Sequence, residues 1–161
     1  YNLSQTRRYA GIMDALSEAN VPASNIREID YHTVFGSSAE STSSYKPYEE
    51  LFFPVNYTAV IGFNDLQSYS AMEILQKKGY RIPEDISLIS FDHLRKTHTY
   101  LPPLTSIADN SEKSIADTAV SILLDKIRNP SSEISSEVLP VSIFDGHTTG
   151  PINETFAHSF E

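Results

Sequence analysis

Residues 57–109 read YTAVIGFNDLQSYSAMEILQKKGYRIPEDISLISFDHLRKTHTYLPPLTSIAD, and this stretch decides the fold. Residues 58–63 form a short apolar run, suited to a strand buried on both faces. Asn64 and Asp65 follow at once, where Asn64 can cap a helix with Gln67 as its reciprocal partner. The helix is predicted over 66–78 and stops at Gly79. Residues 81–85 then lead to a second apolar run, 86–91, which Asp92-His93 breaks. Strand, helix, strand with a short return is a βαβ unit, so the sheet is expected to be parallel. Asn64, Asp65 and Asp92 thereby fall on one rim, beyond the carboxyl ends of neighbouring strands, where open α/β sheets bind ligands.

Outward from this unit, residues 5–19 read as an amphipathic helix with Tyr9, Ile12, Met13 and Leu16 on one stripe. Arg7 and Arg8 sit in its predicted first turn, which the helix dipole disfavours unless a polar or anionic group is met there. Residues 20–24 make a turn, 26–34 alternate as a strand, and 36–46 are rich in Ser and Thr. Leu51-Phe52-Phe53 is a short apolar segment stopped by Pro54. In the helix of the central stretch, Ala71, Met72 and Leu75 form the buried stripe; Leu66 and Ile74 fall away from it and Tyr69 lies at its edge. A further helix is predicted over 111–127. Ile115, Ala119, Leu123 and Ile127 share one apolar stripe, with Ala116, Val120 and Leu124 beside it. Residues 138–144 make a last strand whose Pro140 suggests an edge or a strand start, and residues 151–161 read as a tail.

The totals narrow the function. At 161 residues the chain suits one domain with a workable core, and its net charge is −9 with scattered basic residues. Little here neutralises phosphate, which argues against DNA binding by this segment. There is no cysteine, hence no disulfide or thiol chemistry. No apolar run approaches membrane-spanning length, so no membrane partner is expected. Asn2, Asn56 and Asn153 begin glycosylation-type triplets, read as chance matches. His93 and His98 lack a third ligand in any zinc pattern, so they read as loop histidines and no metal or other cofactor is expected. Asp65 and Asp92 could suggest paired catalytic carboxylates, but no serine elbow, P-loop or glycine-rich dinucleotide turn accompanies them, and an enzyme is not expected. Carboxylates beside an asparagine and an arginine do suit recognition of paired hydroxyls. Asp65 reads equally as a helix-capping residue, and Asp92 as a strand terminator.

The ordered set Thr58-Ala59, Asn64-Asp65, Gly79, Pro83, Asp85-Ile86-Ser87, Phe91-Asp92 and Pro102-Pro103-Leu104-Thr105 resembles the effector-binding domain of the lactose-repressor (LacI/GalR) family of bacterial transcription regulators. Arg8-Tyr9-Ala10-Gly11 and Leu139-Pro140-Val141-Ser142 extend the likeness over roughly residues 1–150. The resemblance implies an α/β, parallel-sheet, three-layer lobe of a type I periplasmic-binding-protein-like fold, lacking its first lobe and one strand. It implies a C-terminal lobe over 1–109, a helix at 110–130 that packs on the N-terminal lobe, a return strand at 131–150 and a tail at 151–161. It further implies a cytoplasmic homodimer that binds a sugar or related metabolite and touches DNA only through a separate helix-turn-helix module. Arg8, Asn64, Asp92, Asp65 and Phe35 are the implied effector-binding residues, although Phe35 reads first as an ordinary core or surface aromatic. Leu66, Tyr69, Ile74 and Tyr100 are the implied dimer-interface residues. The chain departs from the family pattern at Ile115, where glycine is favoured, and at Asp145-Gly146-His147, where an arginine is usual. The alternative is a periplasmic sugar-binding protein of a transporter, with the same architecture.

Overall fold

A computed structural model describes residues 3–29, 50–94, 102–110, 114–133 and 136–160. Its elements are α1 (Leu3–Glu18), β1 (Ala59–Ile61), α2 (Asp65–Lys77), β2 (Ser87–Phe91), β3 (Thr105–Asp109), α3 (Ile115–Arg128), β4 (Val141–Phe144) and a short α4 (Glu154–Ala157). The strands form one sheet in the order β1-β2-β3-β4. The β1–β2 and β2–β3 pairs are parallel, with Ile89 beside both Ile61 and Thr105, and β4 closes the edge antiparallel to β3. The parallel expectation thus holds for the interior of the sheet and not for its last strand. Pro140 immediately precedes β4, where its missing N–H costs the ladder nothing.

Helix α2 is built as its sequence dictates. Asn64 is extended (φ −153°, ψ 168°), and its side-chain oxygen accepts the Gln67 N–H at 2.9 Å. At the other end Gly79 has φ +92°. Its N–H donates to the Gln76 carbonyl and that of Tyr80 to the Leu75 carbonyl, which is the Schellman arrangement. One side of α2 lies on β2. Met72, Leu75, Ile86 and Leu88 are fully buried there, joined by Phe52, Val55, Ala71, Ile82 and Leu104.

Tyr69 and Ile74 belong to the same core, only 6% and 5% exposed. This corrects the expectation that Ile74 falls away from the buried stripe and that Tyr69 lies at its edge. The phenol of Tyr69 bonds to the Leu104 backbone, and burial raises its pKa, so this ring is packed by its own chain. Leu66, by contrast, stands 52% exposed as expected. Tyr100, Phe35, His98 and residues 30–46 lie outside the described residues.

Other expectations need correction. Strand β1 is not buried on both faces: Ala59 and Ile61 are exposed and only Val60 is half-buried. Among the described residues it sits at one edge of the sheet, and the face away from α2 also leaves Val141 and Ile143 open. Residues 26–29 carry no strand ladder; Arg27 instead donates to the carbonyls of Leu51, Phe53 and Pro54 and pins that turn. Helix α1 starts at Leu3, which places Arg8 beyond its first turn, and Tyr9 stays 48% exposed with its hydroxyl bonded to Glu28. Helix α3 begins after its cap Ser114, later than predicted, and its apolar stripe is largely uncovered, with Ile115, Leu123 and Ile127 about 60% exposed.

The tail is a built element rather than a featureless end. Asn153 caps α4 through the Phe156 N–H at 3.1 Å and donates to Asp85 at 3.3 Å. Phe156 meets the Tyr80 ring edge-on at 5.9 Å.

Candidate functional site

Strands β1 and β2 are parallel neighbours, so the turns that follow them emerge side by side. Arg8 joins the two. Its Nη1 donates to the Phe63 carbonyl at 2.8 Å, and its Nη2 donates to Asp92 Oδ1 at 2.5 Å. The guanidinium lies 5.0 Å from the ring centroids of both Phe63 and Phe91, an arrangement that favours a cation between two π faces. With side chains 26% and 35% exposed, Arg8 and Asp92 are shielded yet still reachable from solvent.

Asp92 and His93 leave the sheet with φ of +95° and +47°. The His93 ring stacks on Phe144 of β4, centroids 4.1 Å apart and planes 15° from parallel. The turn is fastened below. The Asp92 N–H donates to the Ile107 carbonyl at 2.9 Å, and the His93 N–H donates to the Ser106 hydroxyl at 2.9 Å. The Leu94 N–H donates to Asp65 Oδ2, whose other oxygen accepts the Ser106 hydroxyl at 2.8 Å.

Asp65 is therefore 2% exposed with both oxygens occupied. Of its two expected roles, ligand contact and helix capping, the second is filled by Asn64, and the Asp65 oxygens are engaged by Leu94 and Ser106. Asn64 is half-buried, its side-chain oxygen engaged by the helix cap, and it sits next to the Phe63 carbonyl that holds Arg8. The structure thus brings Arg8, Asn64 and Asp92 to one rim.

Sequence reasoning passed over the serines beneath that rim. Ser68 donates to the Asn64 carbonyl and bonds Ser90 at 2.8 Å, while Ser90 and Ser106 are both fully buried. The alternation of Ser90 with apolar neighbours was the available signal, since a serine on a buried face needs a polar partner.

Chemically, the rim offers a carboxylate, a guanidinium whose Nε–H meets no acceptor among the described residues, and an amide. These can bind vicinal hydroxyls in fixed geometry. Among the described residues no cluster of three or more His, Asp or Glu could hold a metal ion.

The sequence pattern of the periplasmic binding protein-like domain matches residues 2–149. The HTH-type transcriptional repressor PurR of Aliivibrio salmonicida is 34% identical over 127 residues, 78% of this chain and 36% of that protein. PurR of Escherichia coli is 34% identical over 137 residues, 83% of this chain and 38% of its own length. The chain belongs to the LacI/GalR family, as a periplasmic binding protein-like effector-binding domain.

Among solved structures of this family, a dimeric Lac repressor superposes with a TM-score of 0.71 at 25% identity, covering 94% of this chain and 53% of that one. A LacI family transcriptional regulator from Enterococcus faecium with bound ribose gives 0.71 at 23% identity, covering 92% and 53%. The chain thus spans little more than a third of its curated relatives' length and about half of these LacI-family structures.

Proposed function

We propose that this chain is part of the ligand-sensing region of a bacterial transcription regulator. It grips a small polyhydroxylated molecule, a sugar or related metabolite, through Arg8, Asn64 and Asp92. The observation that carries the reading is the Arg8 bridge, which ties the turn after β1 to Asp92 at the carboxyl ends of two adjacent parallel strands. The relatives named as transcriptional repressors and the ribose bound to a family member support the same class of regulator and ligand.

In this reading the whole protein works inside the cell as a homodimer, with Leu66 on the outward side of α2 meeting a second protomer. Tyr69 and Ile74, committed to the core, do not take part. Operator binding belongs to a helix-turn-helix module on the full-length protein. Ligand controls it to the extent that affinity differs between the two conformations.

The test is calorimetry on the full-length protein with a panel of neutral sugars. Asp92→Ala removes one charge-assisted acceptor and is expected to weaken binding about 10- to 100-fold. The accompanying change in stability is expected to stay within about 1 kcal/mol, because the lost ion pair is partly exposed. Unchanged affinity would remove Asp92 from the site.

A further inference from the structure

We infer that Asp65 is a positioning residue: it holds the turn that carries Asp92 in place without meeting a ligand itself. The inference rests on the reading of Arg8 and Asp92 as the ligand grip.

Two consecutive non-glycine residues with positive φ do not keep that shape through local preference. What keeps it is three successive N–H groups with three different acceptors: the Ile107 carbonyl, the Ser106 hydroxyl and the Asp65 carboxylate. Ser106 donates its own proton to Asp65, so two of the three restraints converge on one buried carboxylate.

Capping does not explain Asp65, because Asn64 already caps α2. Asp65 is the first residue of α2 and follows the 63–64 turn that anchors Arg8. Arg8 is thereby referenced to the start of α2 directly, and Asp92 is referenced to it through Leu94 and Asp65. Both halves of the grip share one fixed point. Burying a carboxyl group is costly unless hydrogen bonds satisfy it, and here its bonds go to the Asp92 turn and to the serine that supports it.

A neighbouring buried pair supplies the control. Ser68 and Ser90 bond in the same layer between α2 and β2 but make no bond to residues 92–94. If Asp65 served stability alone, Asp65→Ala would behave like Ser90→Ala.

The experiment is hydrogen exchange by mass spectrometry at residues 92–94 of the full-length protein, with calorimetry against ribose, galactose and glucose. In Asp65→Ala, exchange there is expected to quicken about 10- to 100-fold, the equivalent of one lost buried hydrogen bond. Affinity for whichever sugar the unmodified protein binds should fall as well. Ser90→Ala should lower Tm while leaving both readouts near those of the unmodified protein. Asp65→Asn keeps an acceptor for the Leu94 N–H and should restore most of the protection. Should Asp65→Ala fail to fold, Ser106→Ala cuts the same network at its second point and is expected to loosen the same peptide. Exchange in Asp65→Ala or Ser106→Ala no faster than in Ser90→Ala overturns the inference. If none of the sugars binds the unmodified protein but the exchange pattern appears, the positioning role stands and the sugar-sensor reading falls.

Discussion

The two ends of the sheet are made differently. At the amino ends of β2 and β3 the chain closes on itself. Thr148, fully buried, accepts the Thr105 N–H at 2.8 Å and donates to the Leu88 carbonyl at 2.7 Å, while its own carbonyl accepts the Leu88 N–H. Ser87 and Gly150 exchange a second pair of bonds beside it. At the carboxyl ends stand a reachable carboxylate, an arginine between two rings and consecutive residues of positive φ. One end supplies rigidity, and the other holds costly geometry and partly exposed charge. Such geometry persists only where its surroundings over-determine it, and here the Ile107 carbonyl, Ser106 and Asp65 do so.

The contrast can be broken most severely at Gly146. A Cβ there would stand 2.1–2.3 Å from backbone atoms of Pro103 and Leu104, which cannot move without disturbing β3. Gly146→Ala is expected to destabilise the protein by about 3 kcal/mol or more, read as a fall in the denaturant midpoint. A shift below about 0.5 kcal/mol would mean that this end is not tightly closed.

Thr148→Val sharpens the comparison. It keeps the side-chain shape but leaves the Thr105 N–H without its acceptor, for an expected loss of about 1–3 kcal/mol. Sugar affinity should hold, because the change lies at the far end from Arg8 and Asp92.

Acid probes the fastening of the tail to the closed end. Hydrogen bonding with Arg81 lowers the Asp85 pKa from 3.8 to about 2, helped by its attraction to Arg81 and by the Asn153 amide. The folded value lies below the unfolded one, so the stabilisation is fully present above about pH 4 and is lost as pH falls towards 2. Asp85→Asn should remove that part of the acid sensitivity, seen as a smaller drop in Tm between pH 5 and pH 3. An unchanged drop would show that the carboxylate does not fasten this edge.

The smallest change in stability is expected at the open end. Asp92→Gly relieves the positive φ while losing a partly exposed ion pair, two effects of opposite sign near 1 kcal/mol each, so Tm should barely move although sugar binding weakens about 10- to 100-fold. Retained binding would place the grip elsewhere.

What was legible in the sequence was local. Asn64 and Gly79 announce the ends of α2 because caps are decided within a few residues, and Asp92 follows a strand that its neighbours define. What was illegible depends on distant chain. Thr148 reaches back 43 residues to Thr105 and 60 to Leu88, and nothing in its own neighbourhood hints at either bond. Tyr69 and Ile74 look peripheral on a helical wheel, yet Phe52, Val55 and Leu104 widen the core around α2. The tail was unreadable for the same reason, since its anchors are Tyr80 and Asp85. At the rim, Arg8 and Asp92 stood out as charged residues in motifs, whereas Ser90 and Ser106 draw their importance only from the groups they meet.

The face-to-face packing of His93 on Phe144 has a practical use. The chain has no tryptophan, so Phe144→Trp would install a lone indole, excitable apart from the tyrosines, against the imidazole next to Asp92. Indole emission depends on what packs against the ring, so the signal of that single tryptophan would report, in real time, whether the corner beside the grip is stacked or splayed.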